Sequence, residues 1–163
     1  MKYLYTLLAA ILLLSACSNK EQANEEHAVS EHAGHEYESI DIQEKTAGID
    51  VLPSFLDNQP ENIRLTYQVA GHATDILEWM PCYCGCGESV GHGSNLNCFI
   101  KEMNEDGSVV WDDHGTRCVV CLEIALQSAK MFKDGMELKD IRNAIDEMYK
   151  EGYAEPTKTK MPA

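Results

Sequence analysis

Three cysteines separated by single residues form the densest chemical feature of this sequence. Cys82, Cys84 and Cys86 lie in the segment Pro-Cys-Tyr-Cys-Gly-Cys. The glycines in and after this segment allow backbone conformations with positive φ and a close approach of the main chain to a ligand. Because thiolate sulfur is a soft ligand, a loop of this kind can close around a soft metal ion.

A second pair of cysteines stands at the start of a predicted helix. Cys118 and Cys121 are three residues apart, so both sulfurs lie on one helical face, where the helix dipole favours thiolate over thiol. Between the two motifs, His92, Cys98 and His114 lie in turns rich in Gly or Asp. We therefore predict one metal site with eight candidate ligands: Cys82, Cys84, Cys86, His92, Cys98, His114, Cys118 and Cys121. Asp112 or Asp113 could orient His114 as an outer partner.

The types of these residues restrict the metal. Calcium and magnesium prefer carboxylate oxygens, and the acidic residues are scattered without a calcium-loop pattern. Soft thiolates with a few imidazoles select copper(I), zinc or an iron–sulfur cluster. Six cysteines and two histidines exceed one four-ligand zinc shell. Since copper(I) accepts low coordination and bridging thiolates, we favour copper, with zinc as the second choice.

Three other interpretations of the cysteines stay open. The six could form disulfides that staple a small domain, or part of the set could hold a structural zinc ion. A thiol redox protein is the third interpretation, with Cys118 as the nucleophile and Cys121 as the resolving partner. The sequence contains no Gly-x-Ser-x-Gly, phosphate loop or Rossmann fingerprint, so enzymatic activity is not our first expectation.

The amino-terminal residues predict where the protein resides. Met1 and Lys2 are followed by an apolar run over residues 3–14, which is too short to span a bilayer comfortably. The run ends in Leu-Ser-Ala-Cys17, which resembles the lipobox of bacterial lipoproteins. This resemblance implies that residues 1–16 are a signal peptide and that Cys17 carries the lipid. We expect an extracytoplasmic protein, lipid-anchored to the bacterial cell membrane, with another envelope metalloprotein as a possible partner.

Composition and patterning predict the domain organisation. The 163 residues suit one domain, and 13 Lys plus Arg against 27 Asp plus Glu exclude nucleic acid as a partner. Residues 17–45 are polar and lack apolar periodicity, so we predict a flexible acidic tether that contains His27, His32 and His35. The Cys/His-rich domain is predicted over residues 46–158, with a tail at 159–163.

The predicted fold class is mostly α: a small helical domain with a cysteine-rich loop and one short β-hairpin. The first helix begins near residues 57–60, with Asp57 or Asn58 as its cap, and stops or kinks at Gly71. A short helix is predicted at 74–80, followed by a hairpin of 99–103 with 108–111. A longer helix, capped by Thr116, should run to about Phe132 and bury that residue. The last helix is predicted at 137–149, with Met148 buried, and the chain should fray from Pro156.

Several motifs together resemble a known family. They are PCYCGC at 81–86, GHGSNLNCF at 91–99, WDDH at 111–114, CVVC at 118–121 and a closing segment at 141–153. The chain resembles the bacterial family named for the PCYCGC motif over roughly residues 60–158. This resemblance implies an extracytoplasmic lipoprotein and a grouping of Cys and His residues, and it names no metal.

Overall fold

The computed structural model describes residues 41–163 with the exception of Cys86. The predicted signal peptide, the predicted lipidation site Cys17, the histidines of the predicted tether and the ligand candidate Cys86 therefore lie outside the described residues. Within this described part, no helix is both long enough and apolar enough to cross a membrane.

A three-stranded antiparallel sheet lies beside the helices. Its strands are β1 (Gln43–Thr46), β2 (Ile100–Met103) and β3 (Val109–Asp112), in the order β1-β3-β2. The pairing of β2 with β3 confirms the predicted hairpin. Strand β1 was not predicted, and residues 43–45 belong to the sheet rather than to a tether. Its sequence, Gln-Glu-Lys-Thr, contains no apolar residue, so alternation of hydrophobicity could not reveal it.

The other regular elements of the described residues are helices, as predicted. The α-helices are α1 (Glu61–His72), α2 (Thr74–Leu77), α3 (Gly87–Val90), α4 (Val119–Lys133) and α5 (Leu138–Met148). Three short 3-10 helices lie at Ser54–Leu56, Asn95–Cys98 and Asp113–Arg117. Helix α4 packs against both α1 and α5, so it is the central helix of the domain.

Several helix ends differ from their predicted positions. Pro60, without a side-chain cap, precedes α1, and neither Asp57 nor Asn58 caps it. Gly71 lies inside α1, where a Cβ atom would stand 3.0 Å from both Trp111 and Ile49, so close packing explains this glycine. The helix predicted to reach residue 80 ends at Leu77.

Helix α4 also starts later than predicted. Thr116 belongs to the preceding 3-10 helix, and its hydroxyl donates a hydrogen bond to the main-chain oxygen of Asp113. The residue that caps α4 is Cys118, whose sulfur accepts a hydrogen bond from the main-chain nitrogen of Cys121. A candidate ligand therefore also sets the start of the helix.

Aromatic side chains fill the core between α1 and the sheet. Tyr67 is fully buried, with its ring 5.1 Å from the ring of Phe99 and 6.2 Å from that of Trp111, measured between centroids. Its hydroxyl donates a 2.7 Å hydrogen bond to the main-chain oxygen of Asp112. Tyr67 thereby holds the end of β3, immediately before the segment that carries His114.

The predicted burial of two side chains is wrong. Phe132 is 49% exposed and Met148 is 47% exposed. Tyr149, the next residue, is buried instead and stacks on Tyr83 with ring centroids 5.4 Å apart. The helical spacing of Met148 is compatible with the core face, but the helix ends at that residue and its direction changes there.

The carboxyl-terminal segment packs against the first cysteines, contrary to the prediction that it frays from Pro156. Thr157 accepts a 2.9 Å hydrogen bond from the Cys82 nitrogen through its hydroxyl and donates a 3.1 Å bond from its own nitrogen to the Cys82 oxygen. Ala154 donates to the Tyr83 oxygen, and Arg142 donates to the main-chain oxygen of Lys160. Since main-chain atoms make most of these bonds, side-chain patterns could not predict them.

The tight packing around Gly115 generates a stability prediction. In Gly115→Ala, the new Cβ would lie 2.7 Å from the buried Phe99 ring and 3.0 Å from the Cys98 oxygen. We expect a loss of about 1–3 kcal/mol in the free energy of unfolding, measured by urea denaturation. Gly48→Ala is the control, because its nearest neighbour is an oxygen at 3.5 Å. Equal stability of the two variants would contradict this packing.

Candidate metal centre

The loop after α2 brings the first two cysteines together. Residues 81–83 are irregular, and Gly85 has a φ of +81°, which turns the chain. The Sγ atoms of Cys82 and Cys84 are 3.0 Å apart. Hydrogen bonds from the nitrogens of Thr157 and Ala154 hold the main-chain oxygens of Cys82 and Tyr83.

The start of α4 supplies the next two sulfurs. The Sγ atoms of Cys118 and Cys121 are 2.8 Å apart, because Cys118 is the cap and Cys121 follows in the first turn. The Sγ of Cys121 is also 3.4 Å from the Sγ of Cys82. The cysteine loop and the helix therefore share one cluster, as the sequence predicts.

Cys98 and the two histidines complete the group. Cys98 ends a 3-10 helix, and its sulfur is 3.8 Å from the Cys82 sulfur and 3.6 Å from Nδ1 of His92. The ring of His92 meets the ring of His114 edge to face, with centroids 4.8 Å apart. All three residues are buried or nearly so.

Seven of the eight predicted ligands thus converge, and the eighth, Cys86, lies outside the described residues. Their donor atoms fall into three overlapping groups, each with all members within 4.8 Å of one another. The groups are Cys84, His114, Cys118 and Cys121; Cys82, Cys98 and Cys121; and His92, Cys98 and His114. Each group could hold a metal ion. We call the five described cysteines the thiol cluster.

The members of the thiol cluster differ in access to solvent. Cys82, Cys98 and Cys121 are at most 1% exposed, whereas Cys84 and Cys118 are only partly buried. Cys84, Cys118 and His114 form one wall of an open cleft of about 540 Å³, which Tyr153 and Arg117 also line. A second cavity, between the carboxyl-terminal segment and the glycine-rich loop, reaches Cys82 and His92.

The acidic partner of His114 differs from the prediction. Asp41 places a carboxylate oxygen 3.2 Å from Nδ1 of His114, and the Asp41 side chain is 2% exposed. Asp112 instead accepts a hydrogen bond from the main-chain nitrogen of His114, and Asp113 pairs with Arg117, which also pairs with Asp41. Because Asp41 is 73 residues from His114 in a segment without a motif, sequence spacing could not identify it.

Hydrogen bonds within the cluster shift the pKa values of its thiols in different directions. Bonds from Cys118, Cys121 and Cys82 hold the pKa of Cys84 well below its ordinary value. Bonds from Cys121 and Cys82 lower the pKa of Cys98 despite its burial. The bond of Cys121 to Cys118, and those to its other sulfur neighbours, raise the pKa of Cys121.

The helix start does not make Cys118 the thiolate, contrary to the prediction. The bond from Cys121 lowers the pKa of Cys118, but its bond with Cys84 and its burial outweigh this and raise that pKa to about 11. The bond with Cys84 raises the pKa of His114 to about 9, against the effect of burial. In the metal-free protein, Cys84 therefore has more thiolate character than Cys118.

The sulfur spacing suits direct coordination of a single soft ion by several cysteines. With bonds of about 2.3 Å, two thiolates on a tetrahedral ion are about 3.8 Å apart. The sulfur–sulfur distances given above range from 2.8 to 3.8 Å, so a small outward movement of the sulfurs admits an ion.

The unequal access of the thiols generates a labelling prediction. In the reduced, metal-free protein, iodoacetamide should alkylate Cys84 before the other described cysteines, because Cys84 is partly exposed and its pKa is lowered. Mass spectrometry of timed samples measures the order, and a sample unfolded in guanidinium is the control in which all sites react. Earlier labelling of Cys98 or Cys121 than of Cys84 would contradict the burial described here.

Comparison with known proteins adds one finding to this geometry. No curated protein and no solved structure matches the chain. A family described as "Protein of unknown function with PCYCGC motif" matches residues 5–162, which is nearly the whole chain. This match confirms the resemblance suggested by the motifs. The chain belongs to the PCYCGC-motif family.

Proposed function

We propose that this chain is a lipid-anchored extracytoplasmic protein that binds a soft metal ion, with copper favoured, for storage or delivery. The observation that supports it most is the convergence of five thiols and two imidazoles from separate parts of the chain. Reversible exchange of ligands on the ion is the mechanism that this site would use.

Electrostatics supports a cation at this position. Thiolates in a buried cluster repel one another, and their charge is costly to bury unless a cation compensates it. Arg117 stands beside the cluster, but it is paired with Asp41 and Asp113. A metal ion would add positive charge beyond that of a protonated His114 and would deprotonate the thiols that bind it.

The donor sets support copper(I) over other soft ions. Cys82, Cys98 and Cys121 offer three sulfurs without a carboxylate, and three-coordinate sulfur suits copper(I). Zinc in structural sites almost always has four ligands. The burial of these three residues would also shield a cuprous ion from water and oxidants.

The open cleft supports exchange rather than permanent retention. Structural zinc sites are closed, whereas Cys84, Cys118 and His114 of this site border a cleft. A thiol or imidazole of another molecule could enter there and bind the ion before the ligands of this chain leave it. Another envelope metalloprotein would be a suitable source or recipient.

A structural zinc site is the second candidate function, and one observation favours it. Cys84, His114, Cys118 and Cys121 form a four-donor set with three sulfurs and one nitrogen, which is the composition of a common tetrahedral zinc site. In this alternative, the ion would stabilise the fold and would stay bound without exchange.

Metal analysis of the purified protein separates these functions. We would purify the full-length chain anaerobically from its membrane, measure bound metals by elemental analysis, and count free thiols before and after chelation. Copper that a chelator removes supports the proposal, and zinc that resists exchange supports the structural alternative. A protein without metal and without free thiols would contradict both and leave disulfides as the role of the cysteines.

The contact between Asp41 and His114 generates a prediction about affinity. Asp41→Asn should weaken copper(I) binding about 10- to 100-fold, because the carboxylate that orients the imidazole is lost. Competition with a chromophoric copper(I) chelator measures the change. Asp50→Asn is a matched control, since Asp50 pairs at 3.3 Å with the exposed His72, away from the cluster. Equal affinity of the two folded variants would contradict the role of Asp41.

The lipobox generates a prediction about location. Wild-type protein expressed in a bacterium should fractionate with the membrane and partition into detergent, because Cys17 carries acyl chains. Cys17→Ala should abolish detergent partitioning of the mature chain, and mass spectrometry should find no lipid. Cys84→Ala is the control that should keep the anchor. A lipid-free Cys17 in the wild-type protein would refute the anchor.

A further inference from the structure

Cys121 belongs to two donor groups, which touch where the Cys82 and Cys84 sulfurs are 3.0 Å apart. On the side of the open cleft are Cys84, His114 and Cys118, and the Cys118 sulfur is 2.8 Å from the Cys121 sulfur. On the side of the core are Cys82 and Cys98, and the Cys82 sulfur is 3.4 Å from the Cys121 sulfur. Cys121, the member common to both groups, is itself fully buried.

One soft ion cannot use all of these donors. The two groups together contain five sulfurs and one imidazole, whereas zinc takes four ligands and copper(I) accepts fewer. With a single four-coordinate ion, at least two of the six donors, including at least one thiol, would remain beside the ion without a bond to it. Two ions use every donor of both groups, provided that the thiolate common to them bridges the ions.

We propose that the thiol cluster holds two soft metal ions bridged by the thiolate of Cys121. The outer ion is bound by Cys84, His114 and Cys118, and the inner ion is bound by Cys82 and Cys98, in each case together with Cys121. His92, with Nδ1 3.6 Å from the Cys98 sulfur, stands beside the inner ion. This inference rests on the proposed function, in which the cluster binds a soft metal.

Two properties of the site support a second ion. Each cuprous ion cancels one thiolate charge, so the second ion reduces the negative charge that remains buried among the five thiols. The sulfur of Cys121 also has a neighbour from each donor group, Cys118 and Cys82, at less than the 3.8 Å expected around one tetrahedral ion. A sulfur in this position is suited to share its lone pairs between two ions.

Copper titration of the wild-type protein tests the inference directly. The reduced full-length chain would be titrated anaerobically with copper(I) against a chromophoric chelator, and the saturated protein examined by X-ray absorption. We expect two ions per chain and a copper–copper distance below about 4.6 Å, since two bonds of about 2.3 Å meet at the shared sulfur. Saturation at one ion, or two ions without a copper–copper signal, would overturn the bridge.

Matched Cys→Ser variants test the assignment of each ligand. Cys98→Ser should weaken binding of the inner ion only and Cys118→Ser binding of the outer ion only, so that each titration should show one copper of lowered affinity. Cys121→Ser should lose the copper–copper signal whichever ions it retains. A copper–copper signal that survives in folded Cys121→Ser would overturn the bridge, and the wild-type measurement decides the matter if that variant does not fold.

The outcome also separates this inference from the function on which it rests. A reduced wild-type chain that binds no copper(I) would refute the proposed copper function, and the bridge with it. A chain that binds one copper(I) tightly would keep the proposed function and refute the bridge alone.

Discussion

The packing of residues 82–84 against the first turn of α4 is the contact on which this structure depends most. At this position the interior contains thiols and imidazoles instead of hydrocarbon side chains. Burial of such groups stabilises the fold less than burial of aliphatic side chains, and burial of their charged forms costs free energy. The surrounding structure must therefore hold them together, and any cation bound between them adds directly to the stability of the fold.

The elements around the cluster provide this support from independent directions. Tyr67 holds the end of β3, and Asp41, just before β1, contacts His114. Cys118 has two roles, since its sulfur caps α4 and stands among the candidate ligands. The site is thus formed where the sheet, the central helix and the cysteine loop meet. A shift of any of these elements would therefore move the donor atoms.

Much of the site could be predicted because its donors occur in short motifs. Cys118 and Cys121 lie on one helical turn, and residues 82–84 form a loop bounded by proline and glycine, so local spacing was informative. Periodicity likewise predicted α4 and α5, where Ile141 and Ile145 are buried. Helix ends were less accurate, since a sulfur caps α4 and no side chain caps α1.

The parts that could not be predicted depend on contacts between distant residues. Strand β1 pairs with β3 through main-chain bonds, and its polar side chains carry no signal of burial. The sequence does not distinguish Asp41 from other acidic residues, because only the folded sheet places it beside His114. In the same way, Phe132 has the right helical spacing for the core, but it is 49% exposed in the folded chain.

The bonds between residues 154–157 and the cysteine loop have one more consequence. Because Ala154 and Thr157 donate their main-chain N–H groups to Tyr83 and Cys82, these amides exchange with solvent deuterium only when the segment separates from the loop. Opening of the segment and loosening of the loop are then one cooperative event with one free energy. Amide exchange at these two positions therefore reports on the integrity of the cysteine loop without any modification of a sulfur atom.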